Sequence, residues 1–150
     1  MKKAFWLILL PLLSCLDQPD CIRTSDTALV IDFRKLLTGE KDTTILLQVT
    51  AAGADSIFYS PGNVPDTLRG VSAILAINPF DVETLYTFYL PGRERTLRVG
   101  YTKEARFISE DCGSEIFYSS LHVIDTEFDS VRIVNNQLTK NRFVNIEIFK

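Results

Sequence analysis

The only histidine of the chain, His122, stands two residues after Ser120. A serine nucleophile needs a base within hydrogen-bond reach and usually a third group that orients the base. On an extended strand, side chains two residues apart share a face but lie roughly 6–7 Å apart, which is too far for that bond. We therefore favour a structural or solvated histidine over a Ser–His hydrolase site, and we predict no catalytic residue.

Three acids, Asp125, Glu127 and Asp129, have the alternating spacing of a calcium-binding loop. An EF-hand loop also needs glycine at its sixth position and glutamate at its twelfth, where this chain has Ser130 and Asn136. The spacing favours a hairpin turn with solvated acids, with a weak calcium site of another type as the alternative. One histidine and no C-x-x-C pair also disfavour zinc. We predict no metal and no cofactor.

The N-terminus combines a positive start with a short apolar run. Lys2 and Lys3 precede the apolar residues 4–13, a pattern typical of a secretory signal peptide; the alternative is a buried N-terminal strand or helix. The run is shorter than the roughly 20 apolar residues that span a bilayer. The following "LLSC" resembles a bacterial lipobox, whose cysteine is lipidated and becomes the new N-terminus. The resemblance implies a lipoprotein signal peptide over residues 1–14 and a lipid anchor on Cys15.

The other two cysteines are Cys21 and Cys112. If Cys15 carries lipid, they form an even pair in an oxidising compartment, where disulfides persist. We predict a Cys21–Cys112 disulfide, with two free buried thiols as the alternative. Residues 15–24 would then be the lipidated N-terminus and a tether.

Residues near the predicted anchor bear on its location. Leu16 follows the cysteine, in place of the aspartate that retains some lipoproteins at the inner membrane, and this favours the outer membrane. Asp17 and Asp20 resemble acidic surface-export signals, although a short acidic run is more often a solvated tether. The periplasmic face and the cell surface both stay open. The net charge of −3, without a basic cluster, disfavours nucleic acid as a partner.

The folded part has a period of two. Leu29, Ile31 and Phe33 alternate with Val30, Asp32 and Arg34, which is typical of a β-strand. Segments like this recur at near-regular spacing between Gly-, Pro- and Asn-containing turns. They predict a single all-β domain over residues 25–150, an antiparallel β-sandwich, immunoglobulin-like or related, of about nine short strands. The predicted strands cover residues 29–34, 45–50, 57–59, 71–77, 85–90, 97–102, 116–124, 131–134 and 144–148.

Two local features refine this prediction. The stretch "LYTFYL" at residues 85–90 is apolar on both faces, which indicates a central strand or a second apolar surface. A short helical turn is expected near residues 81–84.

Several ordered patterns carry a likeness that covers nearly all of the chain after residue 14. They are "SCLDQPDC" at the start, "GADSIFYS", "LRVGYTKEARFISEDCGSEIFY", "FDSVRIVNN" and the closing "VNIEIFK". In these the chain resembles a family of small Bacteroidota lipoproteins built on a domain of unknown function. The resemblance implies an all-β lipoprotein domain and brings no activity with it.

Together these patterns predict a non-enzymatic accessory lipoprotein of the Gram-negative envelope. It would be held at the outer membrane through Cys15 and would contact another envelope protein. The alternative is a surface or periplasmic module that binds a glycan or another ligand.

Overall fold

The computed structural model describes residues 27–54, 68–110, 112–139 and 141–150, and the described secondary structure is entirely β. The predictions for residues 1–26, including Cys15 and Cys21, and for a strand at 57–59 lie outside these ranges. Within them, no helix has the length and apolar character needed to cross a bilayer. The strands are β1 (Ala28–Arg34), β2 (Thr44–Leu46), β3 (Gln48–Ala51), β4 (Leu68–Gly70), β5 (Ser72–Ala76), β6 (Glu83–Leu90), β7 (Arg93–Ser109), β8 (Gly113–Thr126), β9 (Ser130–Ile133) and β10 (Ile146–Phe149).

The strands form two four-stranded sheets and a small two-stranded one. The orders are β5-β1-β10-β9, β3-β6-β7-β8 and β2-β4. All strand pairs in the described part are antiparallel except β1 and β10, which run parallel with Ile31 opposite Ile146. The expectation of a purely antiparallel sheet was therefore wrong at this pair, since the parallel direction depends on a contact between distant segments.

The two four-stranded sheets share one apolar core, which confirms the predicted sandwich. Phe33 of β1 meets Phe88 of β6 edge to face, with ring centres 6.5 Å apart, and Phe128 packs on Phe88 at 5.2 Å. In β6, Tyr86, Phe88 and Leu90 point inward and are buried. The strand lies between β3 and β7, so the prediction that residues 85–90 form a central strand is confirmed.

Two strands are much longer than predicted. Strand β7 has 17 residues and β8 has 14, whereas the sequence indicated short strands throughout. The helical turn expected near residues 81–84 was also wrong, because β6 begins at Glu83 and a bend precedes it.

The extra length of β7 and β8 forms a projecting ribbon. Pairing between β6 and β7 begins at Glu83 and Gly100, whereas β7 and β8 stay paired as far as Ser109 and Gly113. We call residues 102–109 and 113–119 the arm. Its base is braced by a bridge between Tyr118 and Leu138.

The arm defines one end of the sandwich, which we call the arm end. The beginning of β1 lies at this end, because Ala28 pairs with Ala76 at the end of β5, just before the connection to β6. The end of β1 and the turn after it, with Leu36 and Leu37, lie at the opposite end.

Candidate functional site

The contacts of His122 are with the backbone of Ser120 and with Gly100, and they serve the fold. The imidazole Nδ1 of His122 donates to the backbone carbonyl oxygen of Ser120 at 2.9 Å. Ser120 has a φ of 55° and lies where β8 bulges against β7 between Gly100 and Thr102. The ring covers Gly100, since a Cβ added there would come within 2.6 Å of His122 Nε2. Glycine at this position therefore makes room for the ring, and the imidazole contacts the serine backbone.

The three alternating acids lie at the end of β8, where Asp125 is, and in the turn to β9, which holds Glu127 and Asp129. Glu127 Oε2 accepts a hydrogen bond from the Thr96 amide at 2.7 Å, and Asp125 lies opposite Arg98 in the β7–β8 register. Phe128 between the acids is buried in the core. No group of three or more His, Cys, Asp or Glu side chains that could hold a metal is found in the described ranges. These acids shape a turn.

Cys112 lies at the tip of the arm, immediately before β8. Its amide donates to Ser109 Oγ at 3.1 Å, and the next residue, Gly113, has a φ of 69°, which glycine adopts without strain. Cys112 is not a free thiol. Because Cys21 lies outside the described residues, the Cys21–Cys112 pairing stays a prediction.

A buried ionic cluster lies on the face of the first sheet that points away from the core. Asp32 of β1 and Glu147 of β10 are register partners, and both carboxylates are almost fully buried. Arg34 Nη2 lies 2.6 Å from Glu147 Oε1 and 3.8 Å from Asp32 Oδ2. Arg132 also binds Glu147, through Nε at 2.9 Å, and Lys41 Nζ lies 3.1 Å from Asp32.

The electrostatic balance at Glu147 favours its charged form. Burial by itself raises the pKa of this carboxyl, but the hydrogen bonds and charges of Arg132 and Arg34 outweigh burial and hold the pKa below its ordinary value. In the described part of the chain both carboxylates pair with cations, and Asp32 also accepts a hydrogen bond from the Ser72 hydroxyl. Sequence reasoning missed this cluster, because the period-two pattern places Asp32 and Arg34 on an outward face.

Three tyrosines lie near the arm end of the core. The Tyr101 hydroxyl lies 2.9 Å from Thr84 Oγ1 and donates to the Asn78 carbonyl at 2.7 Å, while the Tyr86 hydroxyl donates to the Ala76 carbonyl at 2.8 Å. The Tyr118 hydroxyl is buried and has no hydrogen-bond partner among the residues that the structure describes. Burial raises the pKa of all three phenols, and for Tyr86 the nearby Tyr101 adds to the rise.

We expect these tyrosines to ionise only as the domain unfolds. A folded-state pKa above the unfolded value, about 10, stabilises the fold below that pH, and this contribution is lost as pH rises through the folded pKa. Absorbance of tyrosinate, followed from neutral to strongly alkaline pH, should show three of the five tyrosines titrating late and together with loss of the β signal. The urea-unfolded chain is the control. A native titration that overlays the unfolded one would contradict this prediction.

Exposed apolar side chains gather at the arm end. Phe107 in β7 is 70% exposed and Phe80, in the connection before β6, is 83% exposed. Phe143, just before β10, is 62% exposed. On the arm itself, Arg106 stacks over the Phe117 ring at 5.0 Å and pairs with Glu104 at 2.6 Å. The arm end therefore presents aromatic rings to its surroundings, together with charges of both signs.

The comparison with known proteins gives one match. A family model described as "Family of unknown function (DUF6452)" matches residues 46–150, which include the whole arm, Glu147, and every strand from β3 to β10. No curated protein and no solved structure matches the chain significantly. Because the model spans well over half of the sequence, the chain belongs to the DUF6452 family.

Proposed function

We propose that this protein is a lipid-anchored lipoprotein of the Gram-negative cell envelope, of the Bacteroidota type. Its β-sandwich would be a non-enzymatic interaction module held at the outer membrane by acyl chains on Cys15. The sequence carries the first half of this proposal, through Lys2, Lys3, the apolar run and the lipobox-like "LLSC". A cysteine with two or more acyl chains holds a domain at a bilayer without a transmembrane helix.

One structural observation supports the second half. Two of the buried carboxylates have a structural role: Asp32 and Glu147 are held by arginines and a lysine. The histidine bonds a backbone carbonyl. What the domain offers outward is an arm that extends beyond β6 and a set of exposed apolar side chains, which are features of interaction proteins.

The anchor is tested by measuring acylation in the native cell of variants in which one cysteine is replaced. We expect the wild type to incorporate labelled fatty acid and to partition with membranes, whereas Cys15→Ser should lose both. Cys21→Ser is the matched control, because it removes a nearby cysteine and should leave the acylation of Cys15 intact. Absence of fatty acid from the wild-type chain, or equal labelling of Cys15→Ser, would overturn the proposed anchor.

The partner is tested on the same cells. Mild crosslinking followed by purification of the lipoprotein should recover one stoichiometric envelope protein. Protease added to intact and to permeabilised cells separates a surface location from a periplasmic one. Recovery of the lipoprotein alone, from cells in which its anchor is intact, would count against an interaction module.

The alternative, a glycan- or ligand-binding module, has less support. Sugar recognition combines an aromatic platform with converging hydrogen-bonding groups. In the described residues the three most exposed aromatic side chains are phenylalanines, and Tyr86, Tyr101 and Tyr118 are buried. This alternative stays a prediction, and binding of a glycan to the purified protein would favour it.

A further inference from the structure

The exposed apolar side chains are unevenly distributed along the long axis of the sandwich. Three separate segments bring them to the arm end: the connection before β6, the arm, and the connection between β9 and β10. The exposed residues in these segments are Phe80, Val82, Phe107, Ile108, Val134 and Phe143. The other large hydrophobic residues exposed in the described ranges are Leu36, Leu37 and Leu47 at the opposite end and Ile124 on β8, between the arm and that end.

The predicted anchor is connected to the same end. Thr27 leads directly into the beginning of β1, which lies at the arm end. The twelve residue steps from Cys15 to Thr27 reach at most about 40 Å when fully extended. If Cys21 is bonded to Cys112 at the arm tip, only the six steps from Cys15 remain, at most about 20 Å. An acylated Cys15 would therefore tether the domain to the bilayer by its arm end.

Charge does not oppose this approach. The described ionisable residues at the arm end include Lys103, Arg106 and Arg142 against Asp81 and Glu104. Lys103 is engaged with the Pro79 carbonyl at 2.8 Å, and Arg106 with Glu104. Glu110 and Glu115 also lie at this end, so three described cations face four described acids. This small negative excess gives no electrostatic attraction to a bilayer, and the attraction would come from burial of aromatic and aliphatic surface in the headgroup region, as for other interfacial elements.

From these observations we infer that the protein docks end-on against the phospholipid bilayer, with Phe107 and its apolar neighbours in the interfacial region. The inference rests on the proposed anchor at Cys15 and deepens it, since it says which end of the domain faces the lipid. Because neutral groups make the contact, docking to uncharged phosphatidylcholine should be nearly insensitive to salt.

The test uses a single tryptophan as a depth probe. The native chain has one tryptophan, Trp6, which lies in the predicted signal peptide. If the signal peptide is removed, the mature protein has no tryptophan emission of its own. Phe107→Trp places the probe on the arm, and Leu37→Trp places it at an almost fully exposed site on the opposite end. Each mature lipoprotein is purified from membranes and reconstituted in vesicles of phosphatidylcholine with or without brominated acyl chains.

We expect brominated lipid to reduce the F107W emission on the order of twofold and to leave the L37W emission unchanged, since only the first probe would lie within reach of acyl bromines. The F107W emission should also shift to shorter wavelength when vesicles are present. Raising the salt concentration should change neither result. Equal quenching of both variants, or quenching of neither, would overturn the inference.

Two further readouts separate the inference from the proposed anchor. Mass spectrometry of the same samples reports whether Cys15 is acylated. If it is acylated and F107W is unquenched, the anchor stands and end-on docking fails. If it is not acylated, the proposed anchor fails, and quenching of F107W after simple mixing with vesicles still decides the docking. A shift to shorter wavelength in the vesicle samples without quenching by brominated lipid would mean that protein, for example a second copy of this chain, covers the arm, and would also overturn the inference.

Discussion

Replacing Asn145 with alanine should reduce the free energy of unfolding by about 2–4 kcal/mol, a large part of the 5–15 kcal/mol typical of a domain. The buried Asn145 side chain accepts the Val30 amide at 3.0 Å and donates to the carbonyls of Asn135 and Gln137, at 3.2 and 2.8 Å. It thus fastens the beginning of β1 to the connection between β9 and β10. Alanine would leave the buried Val30 amide without its acceptor, which carries the main cost.

Asn141→Ala is the matched control, because Asn141 is exposed in the same connection and surface substitutions usually stay within about 0.5 kcal/mol. Urea unfolding followed by circular dichroism measures both variants. A loss of less than about 1 kcal/mol in Asn145→Ala would show that the side-chain amide does not hold these segments together.

Replacing Arg34 with methionine should cost about 2–3 kcal/mol at neutral pH, because removing one partner of a buried ion pair leaves the other uncompensated. The guanidinium serves both Glu147 and Asp32 and is only 23% exposed. The cost stays below that of an isolated buried pair, since Lys41 and Arg132 remain on the two carboxylates. Arg132→Met is the matched control: it contacts the same Glu147 but is 63% exposed, so its loss should be at most about 1 kcal/mol.

The pH dependence gives this prediction a second readout. The pKa of Glu147 is lowered in the folded protein, so its ionic contribution is fully present above the unfolded pKa, about 4.3, and is lost as pH falls through the folded pKa. The difference between the wild type and Arg34→Met should therefore shrink on acidification. Equal losses in the two arginine variants, or a difference that does not change between neutral pH and pH about 3, would contradict the cluster's role.

Local sequence patterns predicted the strands and the sandwich because burial has a period of two. Leu29, Ile31 and Phe33 face the core as expected. The same pattern gave the wrong environment for Asp32 and Glu147. Both lie in strands at the middle of their sheet, where the second face is also covered, and a period of two cannot distinguish a covered outer face from a solvated one.

The arm and the bulge could not be predicted for a different reason. Residues 103–109 carry three charged residues, Lys103, Glu104 and Arg106, and little apolar alternation, so their strand character comes from pairing with β8 alone. The spacing of Ser120 and His122 indicated a strand, but the positive φ at Ser120 comes from the register shift against Gly100. Long-range register sets these features, and a local window does not contain it.

The parallel pair of β1 and β10 has a consequence for when this domain can fold. Ile31 and Ile146 belong to opposite ends of the described chain, yet they are neighbours at the centre of one sheet. Strand β5 can pair with β1 before the end of the chain is available, whereas β9 joins the sheet only through β10. Pairing between such distant segments slows folding, because the entropy of closing a long loop is lost before the contacts between the strands can form. If the chain crosses a membrane unfolded, as its proposed location requires, this order helps, since two of the four strands of the first sheet cannot pair until residues 146–149 are available.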